Sequence, residues 1–285
     1  MSTQTLNPLP PQDPAPRGSA KTLNIILAVI GVLALLTMAI GAARDAAASL
    51  SSSHVVQTAD AKGLASLDVE ASSGTFTLEF SDTTEAVLDV QTSSGSGWTL
   101  RRSGDELVVR PPAGWNNFCF FSCTKWDNQV TLTLPRELNN GQLDAKFDLG
   151  AGEFRADGNF KDLGLDVGAG DLTVNGAASI LDATLGAGRA DLTLDAVESA
   201  KLDVSAGRMD AKLTGSAPST VTAQVSAGML NLTLPDTSYN VASDVSAGSV
   251  ENKLDTSSSS PNKVTVDVSA GSAVLVPGAE ATSKQ

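Results

Sequence analysis

Two cysteines form the most reactive pair of side chains that the sequence brings close together. Cys119 and Cys123 lie four residues apart in the stretch CFFSC. In a reducing compartment such a pair would be free thiols or half of a metal site, whereas outside the cell it would close a short disulfide loop. The chemistry of the pair therefore depends on where this part of the chain resides.

An aromatic cluster surrounds the cysteines in a protein that is only 4% aromatic. It holds all three tryptophans and three of the eight phenylalanines: Trp98, Trp115, Phe118, Phe120, Phe121 and Trp126. These residues would either cover the side or end of the fold as a small satellite core, or form an exposed platform for a sugar, a peptide or a lipid headgroup. In the second interpretation they are the candidate ligand-binding residues.

Residues for catalysis or metal binding are sparse. The chain has one histidine, His54, which argues against imidazole-based catalysis and a histidine-rich metal site. It also lacks a glycine-rich phosphate loop, a nucleophile elbow, zinc-ligand spacing and an EF-hand loop. We therefore expect a protein that is not an enzyme and that holds no cofactor and no metal.

Carboxylates recur at a fixed place in a repeated unit. The acidic members are Asp148, Asp166, Asp203, Asp244 and Asp267, with Thr184 and Gln224 at the two remaining positions. Repulsion between neighbouring exposed charges costs only on the order of 1 kcal/mol in water, so a solvated acidic row is tolerable without a ligand. The alternative is a weak site for a divalent cation. A net charge of −13, without a basic patch after the first fifty residues, argues against nucleic acid as a partner.

The repeated unit is marked by Gly/Ser-Ala-Gly steps with their alanines at 151, 169, 187, 206, 227, 247 and 270. The residue three places before the final glycine is aliphatic in all seven copies: Leu149, Val167, Leu185, Val204, Val225, Val245 and Val268. Apolar residues alternate up to each step and then resume in the opposite parity, as Leu202 and Val204 do before Gly207 and Met209 does after it. Such a phase slip predicts two strands joined at a sharp corner.

Stacked corners predict an all-β, parallel β-solenoid with coils of 18–23 residues, each paired in parallel with the next. The corner glycines are Gly74, Gly152, Gly170, Gly188, Gly207, Gly228, Gly248 and Gly271, with a looser match near Gly95. The pattern breaks at a predicted hairpin around Ser103-Gly104-Asp105 and resumes at QVTLTLP. An antiparallel β-sandwich is the alternative architecture.

An uncharged stretch precedes these repeats. Residues 22–43 would rise about 33 Å as a helix, enough to cross a membrane, although a cleaved signal peptide is the competing interpretation. Flanking charges favour a cytoplasmic N-terminus, and the exported location favours a Cys119–Cys123 disulfide. The expected organisation is a disordered Pro-rich cytoplasmic tail (1–21), a transmembrane helix (22–43), a tether (44–60), the β-solenoid domain (61–277) with an insert (98–128), and a disordered C-terminus (278–285).

QVTLTLP followed by repeated apolar-x-apolar-x-x-(Gly/Ser)-Ala-Gly-x-apolar units resembles the bacterial putative-adhesin domain family over residues 60–277. The resemblance implies an envelope β-solenoid of unknown function with a cell-surface role and no catalytic residues. Some members look like accessory proteins of envelope-stress signalling. The CFFSC insert is not part of the family pattern.

Together these features predict a non-enzymatic, adhesin-like interaction module on a single-pass anchor in a bacterial cell membrane, with its C-terminal domain outside. Its expected partners are the membrane and a surface glycan or protein ligand. The alternative function is an envelope-stress sensor or scaffold that signals through a membrane partner.

Overall fold

The computed structural model describes residues 53–92, 97–112 and 128–278, and this part of the chain is almost entirely β-structure. A single turn of 3-10 helix, Arg136–Leu138, accompanies sixteen strands. The strands are β1 Ser53–Asp60, β2 Ser66–Ala71, β3 Thr75–Ser81, β4 Glu85–Thr92, β5 Thr99–Ser103, β6 Glu106–Arg110, β7 Gln129–Pro135, β8 Asp144–Asp195, β9 Ser199–Val204, β10 Arg208–Thr214, β11 Thr220–Val225, β12 Met229–Leu234, β13 Asn240–Val245, β14 Ser249–Asn252, β15 Lys263–Val268 and β16 Ser272–Pro277.

Most strands stack into two parallel ladders that meet at the corners. The first ladder contains the strands before each corner and runs β6-β2-β8-β9-β11-β15-β13. The second ladder contains the strands after each corner and runs β7-β3-β8-β10-β12-β16-β14. Strand β8 takes part in both because it continues through several coils. The repeat therefore folds as the sequence predicted, into a solenoid-like all-β stack.

The interior is filled by the apolar residues that hold phase across the repeat. Six of the seven aliphatic residues three places before the corner glycine are at most 2% exposed. The exception is Val245, which is 39% exposed.

Three phenylalanines pack together at one end of this core, the end at which β3 lies. The ring centroid of Phe154 lies 5.0 Å from that of Phe76 and 4.8 Å from that of Phe147.

The corner glycines form one column because successive coils approach each other too closely there for a side chain. A Cβ on Gly170 would lie 2.5 Å from the carbonyl oxygen of Gly152, and a Cβ on Gly207 would lie 2.7 Å from that of Gly188. A Cβ on Gly228 would lie 2.5 Å from the carbonyl oxygen of Gly207. Gly207 and Gly228 do not have positive φ, so at these corners the close contact between coils requires glycine.

The order of coils in space differs from their order in the sequence at the C-terminal end. The expectation that each coil pairs with the next is wrong here: β15 lies between β11 and β13, and β16 lies between β12 and β14. The last coil in the sequence, β15–β16, thus lies between the two coils that precede it, β11–β12 and β13–β14. All of these coils carry the same apolar phase, so the pattern alone does not rank them.

The other end of the stack is antiparallel, and a side chain bridges its edges. Gly95 lies outside the described residues. Strand β4 before it pairs antiparallel with both β1 and β7, and β5 after it pairs antiparallel with β6, so the looser match near Gly95 does not join two parallel strands. Part of the expected tether is β1, whose Gln57 side chain donates to the Trp98 carbonyl oxygen at 2.7 Å and accepts from the Leu100 amide at 3.0 Å. The expected hairpin around Ser103-Gly104-Asp105 is confirmed by the antiparallel pairing of β5 with β6.

The predicted membrane-spanning segment, residues 22–43, lies outside the described residues, as do the N-terminal tail and residues 279–285. Among the residues that the structure does describe, no helix has the length and apolarity needed to cross a membrane.

Candidate ligand-binding groove

A shallow groove of about 560 Å³ lies on the outward face of the first ladder. Its lining comes from β2, β6, β9 and three successive coils of β8. Outward positions of this ladder carry large polar side chains in neighbouring coils, such as Lys146 and Lys201. The groove is therefore a local depression in an otherwise covered face.

Gly164 creates the depression because it occupies one of these outward positions without a side chain. A Cβ built there would meet only the Lys146 Cγ atom at 3.7 Å and the Ala145 carbonyl oxygen at 3.9 Å, which are ordinary contact distances. Its φ lies outside the left-handed region. Neither close packing nor backbone conformation therefore requires glycine at this position, in contrast to the corner glycines.

Ion pairs along the strands hold two lysines at the groove. The Lys146 Nζ atom lies 2.9 Å from Asp148 Oδ2. The Lys201 Nζ atom lies 3.0 Å from Asp203 Oδ2 and 3.6 Å from Asp182 Oδ1. The hydrogen bonds that Lys146 donates to Asp148 and Lys201 donates to Asp203 are the main cause of a raised pKa for each lysine. Both therefore stay charged well above neutral pH.

Acidic groups outnumber these lysines on the groove lining. The lining carboxylates are Asp68, Glu106, Asp144, Asp162, Asp166 and Asp182, against Lys146 and Lys201. A concave surface lined mainly by one sign of charge raises the local concentration of ions of the opposite sign. The groove is thus suited to positively charged groups.

Three groove carboxylates are paired with basic side chains: Asp68 with Arg110 at the end of β6, and Asp144 and Asp162 with Lys161. Arg110 donates to Asp68, and its Nε atom lies 3.5 Å from Glu70 Oε2. The hydrogen bond to Asp68 is the largest cause of a raised pKa for Arg110, partly opposed by desolvation. The Oδ1 atoms of Asp68 and Asp162 have no hydrogen-bond partner among the described residues.

The groove also exposes an apolar side chain. Ile180 lies on its lining and is 47% exposed, one of three large apolar residues left open to solvent in the described part of the chain. A ligand that places a positive charge among the carboxylates and an apolar group on Ile180 would use both kinds of contact.

The sequence-predicted aromatic site is only partly within the described residues. Trp98 is 4% exposed and its ring centroid lies 5.9 Å from that of Phe76, so it packs in the core and is not a surface ligand contact. The interpretation of Trp98 as an exposed platform residue is wrong, because its side chain closes the end of the core beside Gln57. Trp115, Phe118, Cys119, Phe120, Phe121, Cys123 and Trp126 lie outside the described residues.

The predicted acidic row is present, with a changed order. Asp267 lies between Gln224 and Asp244, because the last two coils are exchanged in space. Asp166 belongs to the groove lining, whereas Asp203 contacts it only through Lys201. Within the described ranges, no group of three or more histidine, cysteine or acidic side chains is placed to hold a metal ion.

Sequence reasoning missed Gly164 and Ile180, the two residues that make the groove distinctive. A signal existed: both stand at outward positions where other coils carry polar side chains. Glycine carries no functional group, so a pattern of charged side chains in the sequence does not reveal it.

Comparison with known proteins identifies a family and a set of distantly similar folds. The family model described as Toastrack DUF4097 matches residues 99–275. A "putative adhesin" from Bacteroides fragilis is 13% identical, covers 79% of this chain and 97% of its own, and has a TM-score of 0.47. A "putative cell adhesion protein" from Clostridium sporogenes is 14% identical over 80% of this chain and 100% of its own, with a TM-score of 0.40.

A third solved structure, described as a "putative lipid binding protein" from Parabacteroides distasonis, is 15% identical over 79% of this chain and 97% of its own, with a TM-score of 0.40. No curated protein matches the sequence.

Proposed function

Since the chain belongs to the Toastrack DUF4097 family, we propose that it is a non-enzymatic, adhesin-like interaction module of the bacterial cell surface. The groove on the first ladder is its ligand-binding site. The ligand is a surface protein or glycan that carries positive charge.

The observation that carries this proposal is the combination of charge and shape in the groove. Six carboxylates and two lysines line it, and the absent side chain of Gly164 opens space between coils. The lysines are already engaged by Asp148, Asp182 and Asp203. Asp68 is paired with Arg110, and Asp144 and Asp162 are paired with Lys161. Glu106 and Asp166 are therefore the lining carboxylates that have no ion pair among the described residues and are available to a cation. Ile180 adds an apolar contact beside them.

The surface location rests on residues 22–43 and on the charges that flank them. An uncleaved anchor with a cytoplasmic N-terminus would present the β-stack outside the membrane. In that orientation the groove faces the cell envelope and the surroundings of the cell, where positively charged polymers and proteins are encountered.

Filling the groove tests the proposal. Gly164→Gln adds a side chain at ordinary contact distances, so the fold should tolerate it while the groove is occupied. We expect the full-length chain in detergent to bind polylysine-coated beads and to lose about tenfold in affinity on Gly164→Gln. Binding should also weaken with added salt, because screening acts on exposed charges.

Gly150→Gln is the matched control, because a Cβ at Gly150 meets nothing closer than 3.6 Å and the residue does not line the groove. It should bind polylysine as the unchanged protein does. Equal affinities of the Gly164→Gln and Gly150→Gln variants, or equal binding to polyglutamate beads, would refute the groove as the site.

A further inference from the structure

The C-terminal end of the stack presents two strands with one unpaired edge each. Strand β13 pairs only with β15, and β14 pairs only with β16, within the described residues. An unpaired edge offers a row of backbone donors and acceptors to another strand. At the opposite end of the described stack β1 pairs only with β4 and β5 pairs only with β6, but the Gln57 side chain bridges the two edges through Trp98 and Leu100.

The alternation of hydrogen bonds along β13 shows which of its backbone amides point away from β15. The Asn240 amide donates to the Asn262 carbonyl oxygen, and the Ser246 amide donates to the Val268 carbonyl oxygen, both on the β15 side. Successive amides of a strand point to opposite sides. The amides at the odd positions 241, 243 and 245 therefore point to the open edge.

Side chains at inward positions are exposed at this end. Ser243 is exposed and Val245 is 39% exposed, although the equivalent residues of the neighbouring strand β15, Val266 and Val268, are at most 2% exposed. An added strand with apolar residues at alternate positions would continue the interior over them.

The charge at this edge identifies the kind of strand that fits. Asp244 lies directly beside Asp267, and neither has a basic side chain within ion-pair distance among the described residues. Asp148 and Asp203, in the same row farther along the stack, each contact a lysine. A second copy docked edge to edge would bring more carboxylates to Asp244, whereas a basic residue would neutralise it.

We propose that the open edge of β13 binds an extended segment of a partner protein that alternates apolar residues with lysine or arginine. The segment adds a parallel strand to the first ladder, with its apolar residues over Val241, Ser243 and Val245. A basic residue of the segment lies beside Asp244. This surface is distinct from the groove, and the inference does not depend on the groove's function.

The probe is a synthetic peptide with the sequence KVTVKV, the sequence of β15 with lysine in place of its aspartate. In the register that β15 itself adopts, the fifth residue of the peptide lies beside Asp244. We expect fluorescence anisotropy to show binding to the full-length chain, and clearly weaker binding of KKTVVV, which has the same composition without the alternation.

Two variants separate the backbone and charge contributions. Ser243→Pro removes an amide that points to the open edge and leaves the bonds to β15 in place, so it should weaken peptide binding about tenfold. Asp244→Lys should weaken it severalfold by repulsion. Asp191→Lys changes the net charge equally on the second ladder and should have no effect.

Cross-controls distinguish this proposal from the groove. Gly164→Gln should bind KVTVKV normally, and Ser243→Pro should bind polylysine normally. Absence of peptide binding, or unchanged binding by Ser243→Pro, overturns the proposal. So does a dimer in sedimentation that Ser243→Pro dissociates, because a second copy would then cover the edge. Tighter peptide binding after removal of residues 279–285 would assign the edge to the chain's own tail and overturn it as well.

Discussion

At the scale of single residues, glycine has two opposite roles in this protein. At Gly207 an added Cβ would lie 2.7 Å from the Gly188 carbonyl oxygen and 2.7 Å from a Leu185 methyl group, so the close stacking of coils requires glycine. At Gly164 the space beside the backbone is open, and the missing side chain shapes a surface instead. The two kinds of glycine are distinguished by their neighbours, since neither has positive φ.

These roles predict opposite effects of the same substitution. Gly207→Ala should lower the free energy of unfolding by about 2 kcal/mol, because the added methyl group forces backbone apart at the corner. Gly164→Ala should raise it by about 0.5 kcal/mol, because alanine restricts the unfolded chain without strain in the fold. Urea unfolding of both variants checks this; equal stabilities would show that the corner column is not closely packed.

Tyr239 provides a second test at this scale, because it is the only tyrosine in the chain. It is fully buried and its hydroxyl donates to the Pro235 carbonyl oxygen at 2.9 Å. Burial, with a smaller contribution from Asp236, raises the pKa of Tyr239 to about 12 from its ordinary value of 10. The folded state therefore favours the neutral phenol.

This raised pKa predicts alkaline destabilisation. The contribution of the buried neutral phenol to the free energy of unfolding is complete below pH 10 and is lost as the pH rises from 10 through 12. The total loss is at most about 3 kcal/mol. An ultraviolet absorbance titration follows this one phenol directly. Tyr239→Phe should cost about 1 kcal/mol at neutral pH through the lost hydrogen bond and should remove this part of the alkaline loss; an unchanged pH profile would argue against it.

At the scale of strands, the same inward position of the repeat is buried in one strand and exposed in its neighbour. Val266 on β15 lies between Ala223 on β11 and Ser243 on β13. Val266 is fully buried, whereas Ser243 is exposed because no described strand covers β13 on its other side. The one polar residue at this position of the repeat therefore marks the strand at the open end.

The pair predicts unequal effects of reciprocal substitutions. Val266→Ser should destabilise by about 2–3 kcal/mol, since it removes buried apolar volume and buries a hydroxyl. Ser243→Val should change the free energy of unfolding by less than about 0.5 kcal/mol. Thermal or urea unfolding of the two variants measures this. Similar losses in both would mean that β13 is covered.

At the scale of the whole molecule, the two ends of the stack differ: the Gln57 side chain bridges β1 to the Trp98–Leu100 backbone at one end, whereas β13 and β14 end the stack at the other. In such an array each coil is stabilised mainly by its neighbours, so terminal coils open first. We expect amide hydrogen exchange to be fastest in β13 and β14 and slowest in the coils from β8 to β12. Fastest exchange at β1 and β5 would contradict a stabilising role of the Gln57 bridge.

Much of this architecture could be predicted from the sequence. The phase held by residues such as Val204 and Val225 specifies strand, corner and interior, because burial of alternate residues follows from strand geometry. The order of coils could not be predicted, since β13 and β15 carry interchangeable patterns. The burial of Trp98 depends on the antiparallel end, whose strands pair across long stretches of sequence. The groove depends on the absence of a side chain at Gly164, and no sequence motif predicts it.

The exchanged order of the last coils also affects how the chain is completed during synthesis. Strands β13 and β14 are made before β15 and β16, yet their native neighbours are those later strands. In a chain that stops before Lys263, β11, β12, β13 and β14 would all lack a native neighbour. The stack can therefore reach its native order of coils only after residues 263–277 have been synthesised.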